Sequence, residues 1–182
     1  AKELGPVDVL VNNAGITRDM TFKKMTKGDW DVVMKTNLDS VFNMTKQVMD
    51  GMMERGWGRV INVSSVNGQK GAFGQTNYSA AKAGVLGLAK AMAREFGADG
   101  IRVNCVTPGL IGTDITSGKL TDEMRTKILE GIPLGRLGEA SQPEHADVAG
   151  PLAGKRVDRV AIAKGLERLA QDERRGLRHV EN

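Results

Sequence analysis

The amino-acid sequence predicts an α/β fold in which helices cover a parallel β-sheet. Three short apolar segments, at 7–11, 59–63 and 101–106, have the length and composition of buried strands. They alternate with two long segments, 27–55 and 78–96, whose apolar residues recur at helical spacing. Strands that alternate with helices of this length are typical of right-handed βαβ units, and therefore of a parallel sheet.

Each of the three predicted strands runs into small or polar residues. These residues are 12–15 after the first strand, 64–65 after the second and 108–109 after the third. In a parallel α/β sheet the ligand lies beyond the carboxyl ends of the strands. We therefore expect these residues to line one crevice, with the glycine-rich segment 66–75 as a loop beside it.

Composition and charge predict a globular domain that binds neither nucleic acid nor a membrane. The 182 residues are 40% hydrophobic and 26% charged, which is typical of one globular domain. The net charge of +4 comes from basic residues that are spread along the chain, and only 4% of the residues are aromatic, so no nucleic-acid partner is predicted. No apolar run approaches the roughly 20 residues that cross a bilayer, so no membrane partner is predicted either.

The cysteine and histidine residues also narrow the possibilities. The single cysteine, Cys105, lies in an apolar run and is predicted to be a buried packing residue. One cysteine excludes an internal disulfide and fits a reducing cytoplasm, which is the predicted location. His145 and His179 are far apart in the sequence, and no metal site is predicted.

A tyrosine and a lysine in the second long helix are candidate catalytic residues. Tyr78 and Lys82 are four residues apart, so their side chains are predicted to lie on one face. The pKa of a free tyrosine is about 10, and a nearby ammonium lowers that pKa by favouring the phenolate. Such a tyrosine can exchange a proton with an alcohol or an alkoxide, and Ser65 at a strand end is placed to hydrogen-bond the same oxygen. Alone, a tyrosine and a lysine at this spacing carry little information, because the pair occurs by chance on many helices.

Five motifs in order give the chain a resemblance to the short-chain dehydrogenases/reductases. They are Asn12-Asn13-Ala14-Gly15, Asn37 within Lys-Thr-Asn-Leu, Ser65 thirteen residues before Tyr78, Tyr78-x-x-x-Lys82, and Pro108-Gly109 followed by Thr113-Asp114. The resemblance implies a Rossmann-like, doubly wound parallel sheet. It also implies a nicotinamide cofactor, NADP(H).

The resemblance assigns roles to these residues. Tyr78 would be the catalytic acid/base, Lys82 would lower its pKa and bind the nicotinamide ribose, and Ser65 would orient the substrate carbonyl. Asn37 would expose a main-chain carbonyl that holds a water in a proton relay. The implied cofactor-binding residues are Asn13, Ala14, Gly15, Tyr78, Lys82, Pro108, Gly109, Ile111 and Thr113. Asn12 and Ala14 have an alternative role, which is to hold the central strands together.

Longer stretches, at 13–19, 22–25, 56–59 and 64–79, resemble one branch of the family, the bacterial acetoacetyl-CoA reductases of polyhydroxybutyrate synthesis. The resemblance implies NADPH-dependent reduction of acetoacetyl-CoA to (R)-3-hydroxybutanoyl-CoA by a homotetramer. The implied substrate-binding residues are Asp19, Lys24, Ser65, Phe73, Gln75 and Tyr78, although Lys24 fits an ordinary solvated lysine equally well.

Two departures from that branch lie near the implied acyl site. Ala72 stands where the branch usually has glutamine, and Leu110 where it usually has tyrosine. The alternative is therefore a 3-oxoacyl-[acyl-carrier-protein] reductase of fatty-acid synthesis, whose partner would be an acyl-carrier-protein thioester.

The resemblance covers residues 1–138, which would be the catalytic part of a reductase domain. The family's Gly-x-x-x-Gly-x-Gly turn is not in the chain, and the residue that selects NADP over NAD belongs to that same region of the family. We therefore expect these 182 residues alone to bind NADPH weakly or not at all, and an inactive truncated fragment is a second alternative. Residues 139–182 show no strand-like run and are predicted to form an atypical tail, either helical or disordered.

Overall fold

A computed structural model describes residues 5–113, 121–132, 134–139 and 146–149. The chain divides into two compact units. The first comprises Ala1–Thr107 and Asp147–Lys155, and the second comprises Pro108–Ala146 and Arg156–Asn182. Apart from residues 139 and 146–149, the predicted tail lies outside the described residues.

The elements follow one another in the alternation that the sequence predicts. In chain order they are β1 (Val9–Asn12), a 3-10 turn (Phe22–Lys24), α1 (Lys27–Met34), a π-helical turn (Lys35–Asp39), α2 (Ser40–Glu54), β2 (Gly58–Val63), α3 (Val66–Lys70), α4 (Thr76–Glu95), β3 (Ile101–Pro108), β4 (Ile111–Gly112), α5 (Asp122–Glu130), β5 (Gly138–Glu139) and β6 (Ala146–Ala149). None of the helices described is both long enough and apolar enough to cross a bilayer.

The three predicted strands form the predicted parallel sheet, which confirms the α/β fold class. β1 pairs with β2 and β2 pairs with β3, both in parallel, with Asn12 opposite Asn62 and Asn62 opposite Cys105. With β6 they form a four-stranded sheet in the order β1-β2-β3-β6. The prediction of no strand within 139–182 is wrong at Ala146–Ala149, because four residues with one large apolar side chain show no readable periodicity.

The core of the first unit lies between the sheet and two helices, α2 and α4. Its buried side chains are Val41, Met49 and Met52 from α2, Val85, Leu86 and Ala89 from α4, Val60 from β2, and Ile101, Val103 and Cys105 from β3. Cys105 is completely buried, as predicted. The polar residues at the carboxyl ends of these parallel strands mark the place where a ligand can bind.

The segment after β2 differs from its prediction as a loop, because residues 66–70 form the short helix α3. Ser65 caps this helix, and its side chain accepts a hydrogen bond from the Asn67 main-chain N–H at 3.1 Å. A Cβ at Gly68 would lie 2.7 Å from the Lys82 carbonyl carbon and 2.9 Å from the Ala83 nitrogen. Gly68 is therefore a close-packing residue between α3 and α4, and not a sign of loop structure.

Candidate active site

Lys82 is fixed at the carboxyl end of β2 by three groups that belong to the first unit. Its Nζ donates a hydrogen bond to the carbonyl of Val63 at 2.7 Å, and its own carbonyl accepts one from Ser64 Oγ at 2.7 Å. The Nζ also lies 5.6 Å from the centroid of the Tyr78 ring. Tyr78 and Lys82 thus share one face of α4, as their spacing predicts, and α4 packs directly against the helix that Ser65 caps.

Burial sets the pKa values of the tyrosine and the lysine. Lys82 is 4% exposed, and its burial lowers the pKa of the ammonium to about 8. Burial also raises the pKa of the Tyr78 phenol, a hydrogen bond with Ser65 lowers it, and the charge of Asp19 raises it. The sequence predicts a lowered pKa for Tyr78 because Lys82 is near; the structure reverses this direction, since burial has the largest effect.

Asn37 ties the loop that follows β1 to the π-helical turn. The side chain is completely buried. Its Nδ2 donates to the carbonyls of Ile16 and Val33, both at 2.9 Å, and its Oδ1 accepts from the Ile16 N–H at 3.2 Å. A π-helical turn displaces main-chain hydrogen bonds from the regular helical pattern and is frequent at functional sites. The role of Asn37 in a proton relay stays a prediction.

The loop 13–15 passes beside Lys82. Asn13 is half-buried, and Ala14 and Gly15 are exposed. A Cβ at Gly15 would lie 2.6 Å from Asn37 Oδ1 and 3.5 Å from Lys82 Nζ, so a side chain there would clash with Asn37 and contact the ammonium. An ammonium has three N–H donors, and in the described part of the chain Lys82 uses one, on Val63. These residues therefore fit the hydroxyl groups of a nicotinamide ribose.

Asn12 has the structural role that the sequence left open as an alternative. Its Nδ2 donates to Asn62 Oδ1 at 2.8 Å and to Thr45 Oγ1 at 3.0 Å. These two hydrogen bonds join β1 to β2 and α2. Asn12 thereby fixes the end of β1, from which the loop 13–15 begins.

Two of the predicted substrate-binding residues are in direct contact. Gln75 Nε2 donates to Asp19 Oδ2 at 3.0 Å, which joins the loop after β1 to the segment before α4. Phe73, in the same segment, is 94% exposed, and Lys24 is exposed on the 3-10 turn. The structure therefore brings Asp19 and Gln75 together, whereas the substrate roles of Phe73 and Lys24 stay predictions.

Two asparagines that the sequence does not single out also act at this site. Asn67 donates from its Nδ2 to Gln75 Oε1 at 2.9 Å. Asn77 is completely buried; its Nδ2 donates to the carbonyls of Arg18 and Asp29, both at 3.2 Å, and its Oδ1 accepts from the Tyr78 N–H at 2.8 Å. The only feature of the sequence that could have marked Asn77 as a site residue is its position immediately before Tyr78.

The remaining predicted cofactor-binding residues belong to the second unit. Pro108 is the last residue of β3, Gly109 follows it, Ile111 begins β4, and Thr113 follows that strand. Within this unit β4 pairs in parallel with β5, with Ile111 opposite Gly138. Their cofactor-binding role stays a prediction. Among the described residues, no group of three or more His, Cys, Asp or Glu side chains is placed to hold a metal ion.

The parallel sheet, the Ser65–Tyr78–Lys82 arrangement and the sequence comparison agree on the class of protein. The chain belongs to the short chain dehydrogenase family, whose pattern matches residues 1–124. This membership confirms the family resemblance and the Rossmann-like α/β fold that the sequence predicts.

Several curated relatives are similar to most of this chain. An acetoacetyl-CoA reductase of Cupriavidus necator is 59% identical over 136 residues, which cover 75% of this chain and 55% of the relative. Nodulation protein G of Azospirillum brasilense is 56% identical over 140 residues, which cover 77% of this chain and 56% of the relative. The 3-oxoacyl-[acyl-carrier-protein] reductase FabG of Vibrio cholerae is 53% identical over 137 residues, which cover 75% of this chain and 56% of the relative. The chain thus spans about half the length of these relatives.

Proposed function

We propose that the chain carries the catalytic residues of an NADPH-dependent reductase that converts a 3-oxoacyl thioester into a 3-hydroxyacyl thioester. The observation that carries this proposal is the fixed arrangement of Ser65, Tyr78 and Lys82 at the carboxyl end of β2. A half-buried phenol beside a hydroxyl group and an ammonium is suited to deliver one proton to a carbonyl oxygen.

In this proposal Tyr78 acts as the acid. When bound, the cofactor supplies the hydride that adds to the carbonyl carbon. The Tyr78 hydroxyl gives its proton to the carbonyl oxygen, and the Ser65 hydroxyl holds that oxygen by a hydrogen bond. A raised pKa keeps the phenol protonated at neutral pH, which is the form that a reduction consumes.

Lys82 and the loop 13–15 would bind the nicotinamide ribose. The Lys82 Nζ is held on the Val63 carbonyl, and its two other N–H donors would bind ribose hydroxyl groups. Because its pKa is about 8, the ammonium form predominates at neutral pH and stabilises the phenolate after proton transfer. The family resemblance implies cofactor-side roles for Asn37, Pro108, Gly109, Ile111 and Thr113, and we keep these roles in the proposal.

Acetoacetyl-CoA is the substrate that we favour, with (R)-3-hydroxybutanoyl-CoA for polyhydroxybutyrate synthesis as the product. The support is the name of the Cupriavidus necator relative, which is 59% identical over the matched residues. An acyl-carrier-protein thioester is the second candidate, because the Vibrio cholerae relative carries the name of such a reductase at 53% identity. We further propose a homotetramer in the cytoplasm.

The test is NADPH oxidation by the 182-residue chain with each of two thioesters, acetoacetyl-CoA and acetoacetyl-acyl-carrier protein. Because these 182 residues are expected to bind NADPH weakly, the assay uses a large excess of NADPH. We then expect oxidation with acetoacetyl-CoA and a rate lower by roughly 10²–10⁴-fold in the Tyr78→Phe variant, which removes only the hydroxyl group. Asn43→Ala, at an exposed position of α2, is the control and keeps the rate. Faster oxidation with the carrier-protein thioester would favour the second candidate, and no oxidation with either would favour the inactive fragment.

A further inference from the structure

A chain of side-chain hydrogen bonds runs from the helix that Ser65 caps to the loop after β1. Asn67, in the first turn of α3, donates to Gln75 Oε1 at 2.9 Å. Gln75 in turn donates from Nε2 to Asp19 Oδ2 at 3.0 Å. The side-chain amide of Gln75 thus links the two neighbours: its oxygen accepts from Asn67, and its nitrogen donates to Asp19.

The main chain around Asp19 is held in place by its neighbours. The Met20 N–H donates to the Gly74 carbonyl at 2.8 Å, and the Arg18 carbonyl accepts from Asn77 at 3.2 Å. The backbone on both sides of Asp19 is therefore tied to the segment that leads into α4. The Asp19 side chain itself is exposed, so without a partner its carboxylate would be free to rotate into solvent.

We propose that Gln75 and Asn67 are positioning residues that hold the Asp19 carboxylate in one place relative to Tyr78, so that Tyr78 keeps its proton until a carbonyl substrate accepts it. Asn67 orients the amide of Gln75, and Gln75 orients the carboxylate. This inference rests on the proposed function only in taking Tyr78 as the acid of the reduction.

The electrostatics of Tyr78 support this arrangement. The negative charge of Asp19 raises the pKa of the phenol, because it disfavours a second negative charge nearby. On its own helix, Lys82 lies with its Nζ 5.6 Å from the ring centroid. Three elements that pack against α4 carry further ionisable residues. These are Lys70 of α3, Lys27, Asp29 and Asp31 of α1, and Lys35 and Asp39 of the π-helical turn. Of these, Asp29 is bonded to Thr26, Asp31 pairs with Lys27, and Lys70, Lys35 and Asp39 are exposed to solvent.

The chain contains one tyrosine, which makes a direct test possible. The ultraviolet absorbance of tyrosinate, followed against pH in the 182-residue chain, reports the ionisation of Tyr78 alone. We expect Asp19→Asn to move this titration to lower pH. Gln75→Leu, which keeps the bulk and removes both hydrogen bonds, should move it in the same direction by an equal or smaller amount. In the Asp19→Asn background, Gln75→Leu should produce no further shift, because no charge is left to position.

The control is Gln47→Leu, at an exposed position of α2, which should leave the titration where it is in the parent chain. Circular dichroism at each pH checks that the variants are folded; if Gln75→Leu does not fold, Asn67→Ser tests the same chain from its other end. A Gln75→Leu curve that coincides with the parent curve, or an Asp19→Asn curve that does, would overturn the inference. The inference would also be overturned if Gln75→Leu shifted the Tyr78 titration by the same amount in the parent chain and in the Asp19→Asn variant. The titration needs neither NADPH nor a thioester, so its failure is distinguishable from failure of the proposed reduction.

Discussion

Asn37 and Ile16 exchange two hydrogen bonds, one from the Ile16 N–H to Asn37 Oδ1 at 3.2 Å and one from Asn37 Nδ2 to the Ile16 carbonyl at 2.9 Å. A side-chain amide that pairs with a main-chain amide in this way replaces a neighbouring strand. The pairing therefore gives hydrogen-bond partners to the main-chain N–H and carbonyl of Ile16, in the loop that follows the end of β1. It also fixes the loop from which Gly15 approaches Lys82.

Asn37→Ala should destabilise the protein. The substitution removes the partners of the Ile16 N–H and carbonyl and leaves a small cavity at a completely buried position. We expect the free energy of unfolding to fall by about 3 kcal/mol in urea titrations. The matched control, Asn43→Ala on the exposed face of α2, should change it by no more than about 0.5 kcal/mol. Equal stability of Asn37→Ala and the parent chain would contradict the role of this pairing.

Gly68→Ala should separate α3 from α4. The new methyl group would meet main-chain atoms of Lys82 and Ala83 at 2.7 and 2.9 Å, and main-chain atoms of a helix do not move aside easily. We expect a loss of about 1–3 kcal/mol in the free energy of unfolding, measured in urea. Gly87→Ala is the matched control, because a Cβ there has open space and the higher helix propensity of alanine stabilises α4. If both variants were stabilised alike, the close packing of α3 on α4 would be refuted.

Cys105 should react with thiol reagents only when the protein opens. Its side chain is completely buried, and burial raises the pKa of the thiol to about 11, so both access and thiolate are lacking in the folded chain. We expect reaction with an aromatic disulfide reagent to be slow in buffer and rapid in concentrated urea. For comparison, Asn43→Cys in a Cys105→Ala background places a thiol at an exposed position and should react rapidly in buffer. Rapid reaction of Cys105 in buffer would be incompatible with its burial.

The sheet and the Tyr78–Lys82 pair were predictable because local rules determine them. A buried parallel strand is a short apolar run, which made β1, β2 and β3 visible, and a spacing of four on a helix places two side chains on one face. The helix α3 was not predictable in this way. Gly68 looks like a loop residue, and its reason for being glycine is the main chain of Lys82, a partner that is distant in sequence.

The electrostatics of the site also depend on partners that the sequence does not show. Local sequence shows that Lys82 is near Tyr78, but it does not show how far water is excluded from the phenol, and that exclusion reverses the expected direction of the pKa shift. In the same way, Asp19 and Gln75 were each predicted as substrate-binding residues, and their hydrogen bond to each other became visible only in the fold. Pairs such as these join residues that are distant in the sequence, and local sequence patterns do not reveal them.

Lys82 should make the stability of the protein depend on pH in a predictable direction. Burial lowers its pKa from the ordinary 10.5 to about 8, so between these values the unfolded chain binds a proton that the folded chain lacks. Stability therefore rises as the pH increases through this window, and below about 8 the folded state bears a cost of roughly 3 kcal/mol for the buried charge. The pKa values of Cys105 and Tyr78 are raised, and these groups have the opposite effect at pH above their ordinary values of 9.0 and 10.0.

Between about pH 8 and 9 the effect of Lys82 outweighs that of Cys105, because the Cys105 thiol of the unfolded chain reaches half ionisation only at 9.0. We expect the free energy of unfolding of the parent chain, measured in urea at closely spaced pH values, to rise across this window. Lys82→Met keeps the length of the side chain and removes the charge, so its curve should lack that rise. Lys90→Met, at an exposed position of the same helix, should keep the rise and run parallel to the parent curve. If the Lys82→Met curve rose as steeply as the parent curve, the lowered pKa of Lys82 would be wrong, because no other change between the two proteins titrates in this range.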